Sequence, residues 1–144
     1  MASMRLEIVT AERLVYSEEI EVLVAPGIDG ELGILPSHAP LLTELKPGEI
    51  RVVKDREDTY MAVSGGFMEV LGNKITILAD TAEHIEEIDI ERAEEALKNA
   101  EERVSARTSD MDMERGLASM RKSQARLRVA RRRRPRADRG APPS

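Results

Sequence analysis

The chain is 144 residues long, enough for one domain or for a small domain with an appendage that cannot bury a core alone. It has no cysteine, which excludes disulfides and thiolate chemistry, and its aromatics are only Tyr16, Tyr60 and Phe67, too few for the platforms on which bases or sugars stack. The formal net charge of −5 hides an asymmetry: from Arg121 onward ten Lys and Arg face one acid, +9, whereas residues 1–120 carry −14. No apolar run approaches the ~20 residues of a spanning helix, so the sequence predicts a protein that is cytosolic or peripheral to something cytosolic.

From residue 4 to about 80 the hydrophobic period is close to two, and turn residues recur every eight to twelve positions. This spacing predicts strands over 5–9, 19–25, 30–35, 41–45, 49–54, 59–63, 66–71 and 74–78. No helix intervenes, so the strands belong to an antiparallel sandwich or barrel rather than a parallel sheet. Lys46-Pro47-Gly48-Glu49 places Pro and Gly as a type II turn wants them. Leu71-Gly72-Asn73-Lys74 joins two strand patterns through residues able to take positive φ, the mark of a hairpin.

No catalytic set survives inspection of this body. His38 and His84 are the only histidines, so one chain cannot supply several imidazoles to a metal, and His38 reads as a satisfied or contact residue rather than a base. Ser64 in Val63-Ser64-Gly65-Gly66-Phe67 lacks the strand-to-helix turn of a nucleophile elbow; its glycines read as a bend or a close backbone approach. No phosphate loop ends in Gly-Lys-Ser/Thr. A self-contained enzyme is not expected, and neither a catalytic nor a metal site is assigned. The segment Gly30 to Leu42 is less easily absorbed by a fold, since Pro36, His38 and Pro40 suit an edge or partner surface better than a central strand.

At Ile88-Asp89 the period changes to about three and a half. Ala93, Ala96, Leu97, Ala100 and Val104 share one helical face, and Asp89 is a good N-cap, with Ile88 and Ala93 as a small staple around it. A second helix is expected from Asp110 or Asp112, capped at Ser109-Asp110, with Met113, Leu117, Met120, Gln124 and Leu127 as a narrow seam. That seam is thin, which makes the hairpin a two-state element. Arg131 to Arg134 fall where cations favour the helix dipole, and residues 135–144 read as a flexible basic tail. A nucleic-acid module using this tail is the runner-up reading, because clustered Arg neutralises phosphate; direct nucleic-acid contact is not expected.

The Gly30 to Leu42 segment, the Val63 to Phe67 run with Glu69-Val70, and Ile75-Thr76-Ile77-Leu78-Ala79 stand in an order that resembles the epsilon subunit of bacterial F-type ATP synthases, over residues 4 to about 130. The resemblance implies an α+β fold, a flattened ten-stranded antiparallel β-sandwich followed by an antiparallel two-helix hairpin. It implies a noncatalytic rotor subunit of the proton-translocating enzyme, peripheral to the cytoplasmic face of the cell membrane. Its implied partners are the gamma subunit, the c-ring and, when the arm extends to inhibit ATP hydrolysis, the alpha and beta subunits. The loop 31–40 matches one that faces the c-ring, which gives Glu31 and His38 contact roles. Ile88-Asp89-Ile90-Glu91-Arg92-Ala93 matches a nucleotide-binding signature of some members, and Glu83, Lys122 and Arg126 complete the ATP set of Glu83, Ile88, Asp89, Arg92, Ala93, Lys122 and Arg126. Asn99 and Lys122 stand where binding members have Arg, so the affinity expected is weak. No cofactor is required; ATP is a regulatory ligand. The expected division is 1–87 for docking, 88–134 for the regulatory hairpin and 135–144 for the tail.

Overall fold

The computed structural model describes residues 2–105 and 110–140. Ten strands come first: β1 (Met4–Val9), β2 (Leu14–Ile20), β3 (Val22–Gly27), β4 (Gly30–Ile34), β5 (Leu41–Leu45), β6 (Gly48–Lys54), β7 (Glu57–Val63), β8 (Gly66–Leu71), β9 (Lys74–Ala79) and β10 (Ala82–His84). A single 3-10 turn, Ile85–Glu87, leads into α1 (Ile90–Ser105) and α2 (Asp110–Gly140). The strands make one hydrogen-bonded sheet in the order β10-β7-β6-β3-β5-β8-β9-β1-β2, with β4 on β3. β3 and β5 share only the pair Gly27 and Leu45, and at this thin join the sheet folds over into a sandwich. Alternation fills the space between its layers: Leu6 and Ile8, Ile50 and Val52, Met68 and Val70, and Ile75 and Ile77 all turn into one buried cluster.

Several elements differ from the sequence reading. The stretch read as one strand over 19–25 is two, broken at Glu21, and β2 runs back to Leu14. Its Val15 and Tyr16 are both buried and Glu18 and Glu19 both exposed, so it shows no clean period of two. β10 is three residues of mixed polarity, too short to carry a pattern. One pairing is parallel, β1 on β9, because the first strand of the chain slots beside the last long one; the other pairings are antiparallel. Gly48 does not take the left-handed conformation that a type II turn requires. It opens β6, and a Cβ there would stand 2.8 Å from that of Pro26, so close packing explains the glycine. Conversely, Asp55 and Arg56 both take positive φ, 51° and 64°, and form the β6–β7 hairpin turn without any glycine to announce it. The bend expected at Gly65-Gly66 is present: Gly66 has φ 142°, and a Cβ there would meet the Leu78 carbonyl oxygen at 2.1 Å.

The arm begins as its cap predicts. The Asp89 carboxylate accepts the Arg92 amide hydrogen at 3.2 Å, and its carbonyl accepts that of Ala93 at 3.0 Å. Ile88 and Ala93 are buried with Leu127, Val129 and Ala130 of α2, but also with Ala62 of β7 and Ile85. α2 therefore packs on the sandwich as well as on α1, and its buried stripe is wider than a two-helix seam. Of the expected seam, Leu127 is buried, Met113, Leu117 and Met120 are half-buried and Gln124 is exposed. Gly116, Ser123, Leu127 and Ala130 hold the buried line instead, with Ala125 and Val129 beside it. A Cβ on Gly116 would lie 2.8 Å from Val104 Cγ2, so this glycine lets the two helices approach closely. α2 starts at Asp110 and continues past Pro135 to Gly140. The cap proposed at Ser109 lies outside the described residues.

Candidate functional site

Two places gather the residues singled out in the sequence, and a third was missed. The first is the contact of β10 and the α1 N-terminus with α2. Arg126 donates from Nε to Glu83 at 3.0 Å in a half-buried ion pair. The hydrogen bond runs through Nε, on the side of the guanidinium, so the Nη groups of Arg126 keep donors for another acceptor. Glu83 also lines a cavity of about 240 Å³ with Thr10, Arg13 and Thr81. Ile88, at 2% exposure, and Ala93, at 0%, are core residues here, buried under α2, and reach a ligand only by shaping the backbone around it. Asp89 is half committed, one carboxylate oxygen capping α1. Arg92 is exposed on the first turn of α1 and Lys122 half-buried on α2. Arg13 and the backbone N–H of His84 converge on Glu87, at 3.1 and 2.9 Å, and pin the 3-10 turn to the sandwich. Burial pushes the Glu87 carboxyl pKa up, but these hydrogen bonds outweigh it and leave it below the ordinary carboxylate value.

The second place is the loop between β4 and β5. Ser37 sits at φ 67°, its amide donating to Asn73 Oδ1 at 2.9 Å, while the Asn73 carbonyl takes the Arg5 amide at 2.8 Å. Asn73 thus ties the loop to the β8–β9 turn. His38 is half-buried, its Nδ1 2.7 Å from the Ala39 carbonyl; a carbonyl only accepts, so this nitrogen carries a proton and donates. Glu31 is exposed on β4 and lines a crevice of about 620 Å³ with Lys46, Glu49, Arg121 and Arg128, so it faces α2 as well as solvent. Glu31 and His38 belong to one segment but have different neighbours. His84 is satisfied, its Nε2 2.9 Å from the Val15 carbonyl, and Ser64 Oγ accepts from Thr81. Among the described residues no group of His, Asp and Glu has metal-binding geometry.

The third feature is the outer face of β5, β8, β9 and β1. Phe67 pairs with Leu78, Leu78 stands beside Val9, and Leu42 lies one step along on β5. Leu42 is 73% exposed, Phe67 54% and Leu78 58%, with Glu44 directly opposite Phe67 and Glu69 directly opposite Leu42. An apolar row of this kind on a folded face marks a place where another surface sits. The sequence carried the signal in the Glu69-Val70-Leu71 and Ile77-Leu78-Ala79 runs, where apolar residues occupy both faces of a strand.

These features define a two-part chain, a β-sandwich with an apolar outer face and a helical hairpin resting on its opposite end strands. Residues 3–85 match the β-sandwich domain of the ATP synthase delta/epsilon chain, and residues 86–131 match the long α-helix domain of the same chain. The chain belongs to the ATP synthase delta/epsilon family, among its epsilon chains. It is 51% identical over 126 residues to the ATP synthase epsilon chain of Desulforamulus reducens, covering 88% of this chain and 96% of the relative. With that of Herpetosiphon aurantiacus it shares 52% over 130 residues, 90% and 96% of the two chains. The fold recurs in the Euglena gracilis mitochondrial ATP synthase, OSCP/F1/c-ring in rotational state 1, at TM-score 0.77 and 23% identity over 90% of this chain and 82% of that one. It recurs also in the central stalk/c-ring of the Tetrahymena thermophila mitochondrial ATP synthase, at TM-score 0.67 and 12% identity over 88% and 96%. No helix among the described residues is long and apolar enough to cross a membrane.

Proposed function

We propose that the chain is a noncatalytic rotor subunit of the central stalk in a proton-translocating F-type ATP synthase, peripheral to the cytoplasmic face of the cell membrane. Residues 1–87 dock on the gamma subunit and the c-ring, residues 88–134 regulate, and 135–144 form a basic tail. The observation that carries this reading is the exposed row of Leu42, Phe67 and Leu78 on a sandwich whose own core is already complete. We assign it to the gamma subunit, since large exposed apolar side chains on a folded sheet face suit a permanent protein interface. The loop tied down by Asn73 presents His38 to the c-ring, and Glu31, on β4 of the same segment, is a second contact there. Phe67→Glu should abolish co-purification with gamma while leaving the thermal midpoint of the isolated chain nearly unchanged; retained gamma binding would refute the assignment.

The arm is the regulatory part. Extended, it inhibits ATP hydrolysis by bringing its cations to the alpha and beta subunits; folded down, it binds ATP weakly through Glu83, Asp89, Arg92, Lys122 and Arg126, around the buried Ile88 and Ala93. The two Nη groups that Glu83 leaves on Arg126 support a phosphate there. Lys122 offers charge without a bidentate fork, which places the affinity in the millimolar range, on the order of −4 kcal/mol. Deleting residues 110–144 should raise ATP hydrolysis by the assembled complex, and Arg126→Ala should weaken ATP binding in a titration of the isolated chain. Unchanged hydrolysis removes the inhibitory role; unchanged binding removes the site.

A further inference from the structure

α2 sorts its arginines. Arg121 and Arg128 are exposed and line the crevice that Glu31 and Glu49 border, whereas Arg126 and Arg132 make ion pairs with carboxylates of the sandwich. The Arg132 contact is the more elaborate. Its guanidinium meets the Glu49 carboxylate of β6 through two hydrogen bonds, Nε at 2.5 Å and Nη2 at 2.8 Å, and its Cζ lies 4.3 Å from the ring centroid of Tyr60 on β7. Glu49 pairs with Ala62 and Arg51 with Tyr60, which makes Glu49 and Tyr60 diagonal neighbours on one face of the β6–β7 hairpin. The Tyr60 hydroxyl donates to Asp58 at 3.3 Å, and Asp58 pairs with Arg51, so the ring is held. The Glu49 side chain is only 15% exposed, and a carboxylate so shielded needs a partner.

A carboxylate fork beside an aromatic plate is complementary to a planar, delocalised cation with paired N–H groups, and poorly complementary to a compact ammonium. Both components belong to the sandwich and stay on it wherever the arm goes. We propose that Glu49 and Tyr60 form a guanidinium-binding site on the sandwich, that Arg132 of the same chain is its resident ligand, and that its occupancy holds α2 down. This rests on the reading of the arm as a movable element, and it adds the partner that the arm leaves behind: extension must empty the site and strand the Glu49 carboxylate. Any contact that competes for Arg132 favours extension, and any other arginine that fills the site prevents re-docking.

The full chain has no cysteine, so Glu57→Cys on β7 and Ala118→Cys on α2, both exposed, accept a spin-label pair uniquely. In the isolated chain, Arg132→Ala should raise the population at long separation roughly tenfold, and Arg132→Lys should raise it nearly as far. Ethylguanidinium at tens of millimolar should return Arg132→Ala toward the short separation, ethylammonium should not, and neither should rescue Glu49→Gln. Equal rescue by ethylammonium overturns the site as a guanidinium receptor, and an unchanged distance distribution in both Arg132→Ala and Glu49→Gln overturns the latch. If circular dichroism shows that Arg132→Ala loses helix, Glu49→Gln and Tyr60→Leu decide, since they leave α2 intact: no gain in long separation there also overturns it. These distances need neither ATP nor the assembled enzyme, so failure of the inhibitory reading and failure of this site are separate results.

Discussion

The sandwich and the arm bury their apolar residues on different terms. Among the described residues the sandwich seals twenty in one cluster that draws on both of its layers, with Leu6, Leu23, Ile50 and Ile77 wholly inaccessible. The arm's cluster holds seven, and three of these, Ala62, Ile85 and Ile88, precede α1. Much of what α1 and α2 contribute is alanine, Ala93 and Ala130 in the cluster with Ala100 and Ala125 outside it, and a buried methyl is worth far less than the ~1.5–3 kcal/mol of a Leu or Ile side chain. One region is self-supporting; the other borrows its core from its neighbour and is held to it by a few side chains. The arm therefore rests on the sandwich through a smaller apolar contact than the one that closes the sandwich itself.

Ile50→Ala, at the centre of the sandwich, should destabilise the whole chain by about 2–5 kcal/mol, arm and sandwich melting together in denaturant, because the arm has no platform once β6 is lost. Leu127→Ala should cost about 2 kcal/mol in the arm alone, visible as faster amide exchange in α1 and α2 with exchange in β1, β6 and β9 unchanged; slower strands would be compatible with that asymmetry, but faster strands would not. Asp89→Ala removes the α1 cap and should cost about 1 kcal/mol, read as lost helicity confined to the first turns of α1.

Gly116 tests the helix crossing. Ala at a helix interior is favoured over Gly by up to ~1 kcal/mol, but a Cβ here collides with Val104, so Gly116→Ala should fail to gain and the double variant with Val104→Ala should recover part of the gain relative to Val104→Ala alone. A single Gly116→Ala variant that stabilises the arm would show that the helices do not need this close approach. The smallest effect concerns pH. The Glu87 pKa is lower in the folded chain than in the unfolded one, so its contribution is present above the ordinary carboxylate range and is lost as the pH falls through the folded value. Glu87→Gln should therefore lower stability slightly at neutral pH, by little because the pair with Arg13 is largely exposed, and leave it unchanged at low pH, which flattens the acid limb of the pH–stability curve.

The sequence by itself determined the features that local chemistry decides. Period-two patterns placed β1, β6, β8 and β9 because each has one face buried and one exposed, the change of period at Ile88 located the arm, and Asp89 fixed where α1 begins. It also paired Glu83 with Arg126 as members of one set, though only through resemblance, and the two prove to be in contact. Tertiary structure decided whatever depends on neighbours distant in the chain. β2 is a strand because β1 lies beside it, not because its own residues alternate, and β1 lies parallel to β9 because the chain between them returns to that edge. The face of α2 that is buried was set by a sheet the helix meets only after folding, which moved the seam off Gln124 and onto Gly116, Ser123 and Ala130. Arg132, read in sequence as one more cation near a helix end, acquires a carboxylate and an aromatic ring only because β6 and β7 bring Glu49 and Tyr60 side by side. Patterns within a few residues record backbone preference and burial, whereas a binding site joins residues more than seventy positions apart, and their distance is fixed by the fold alone.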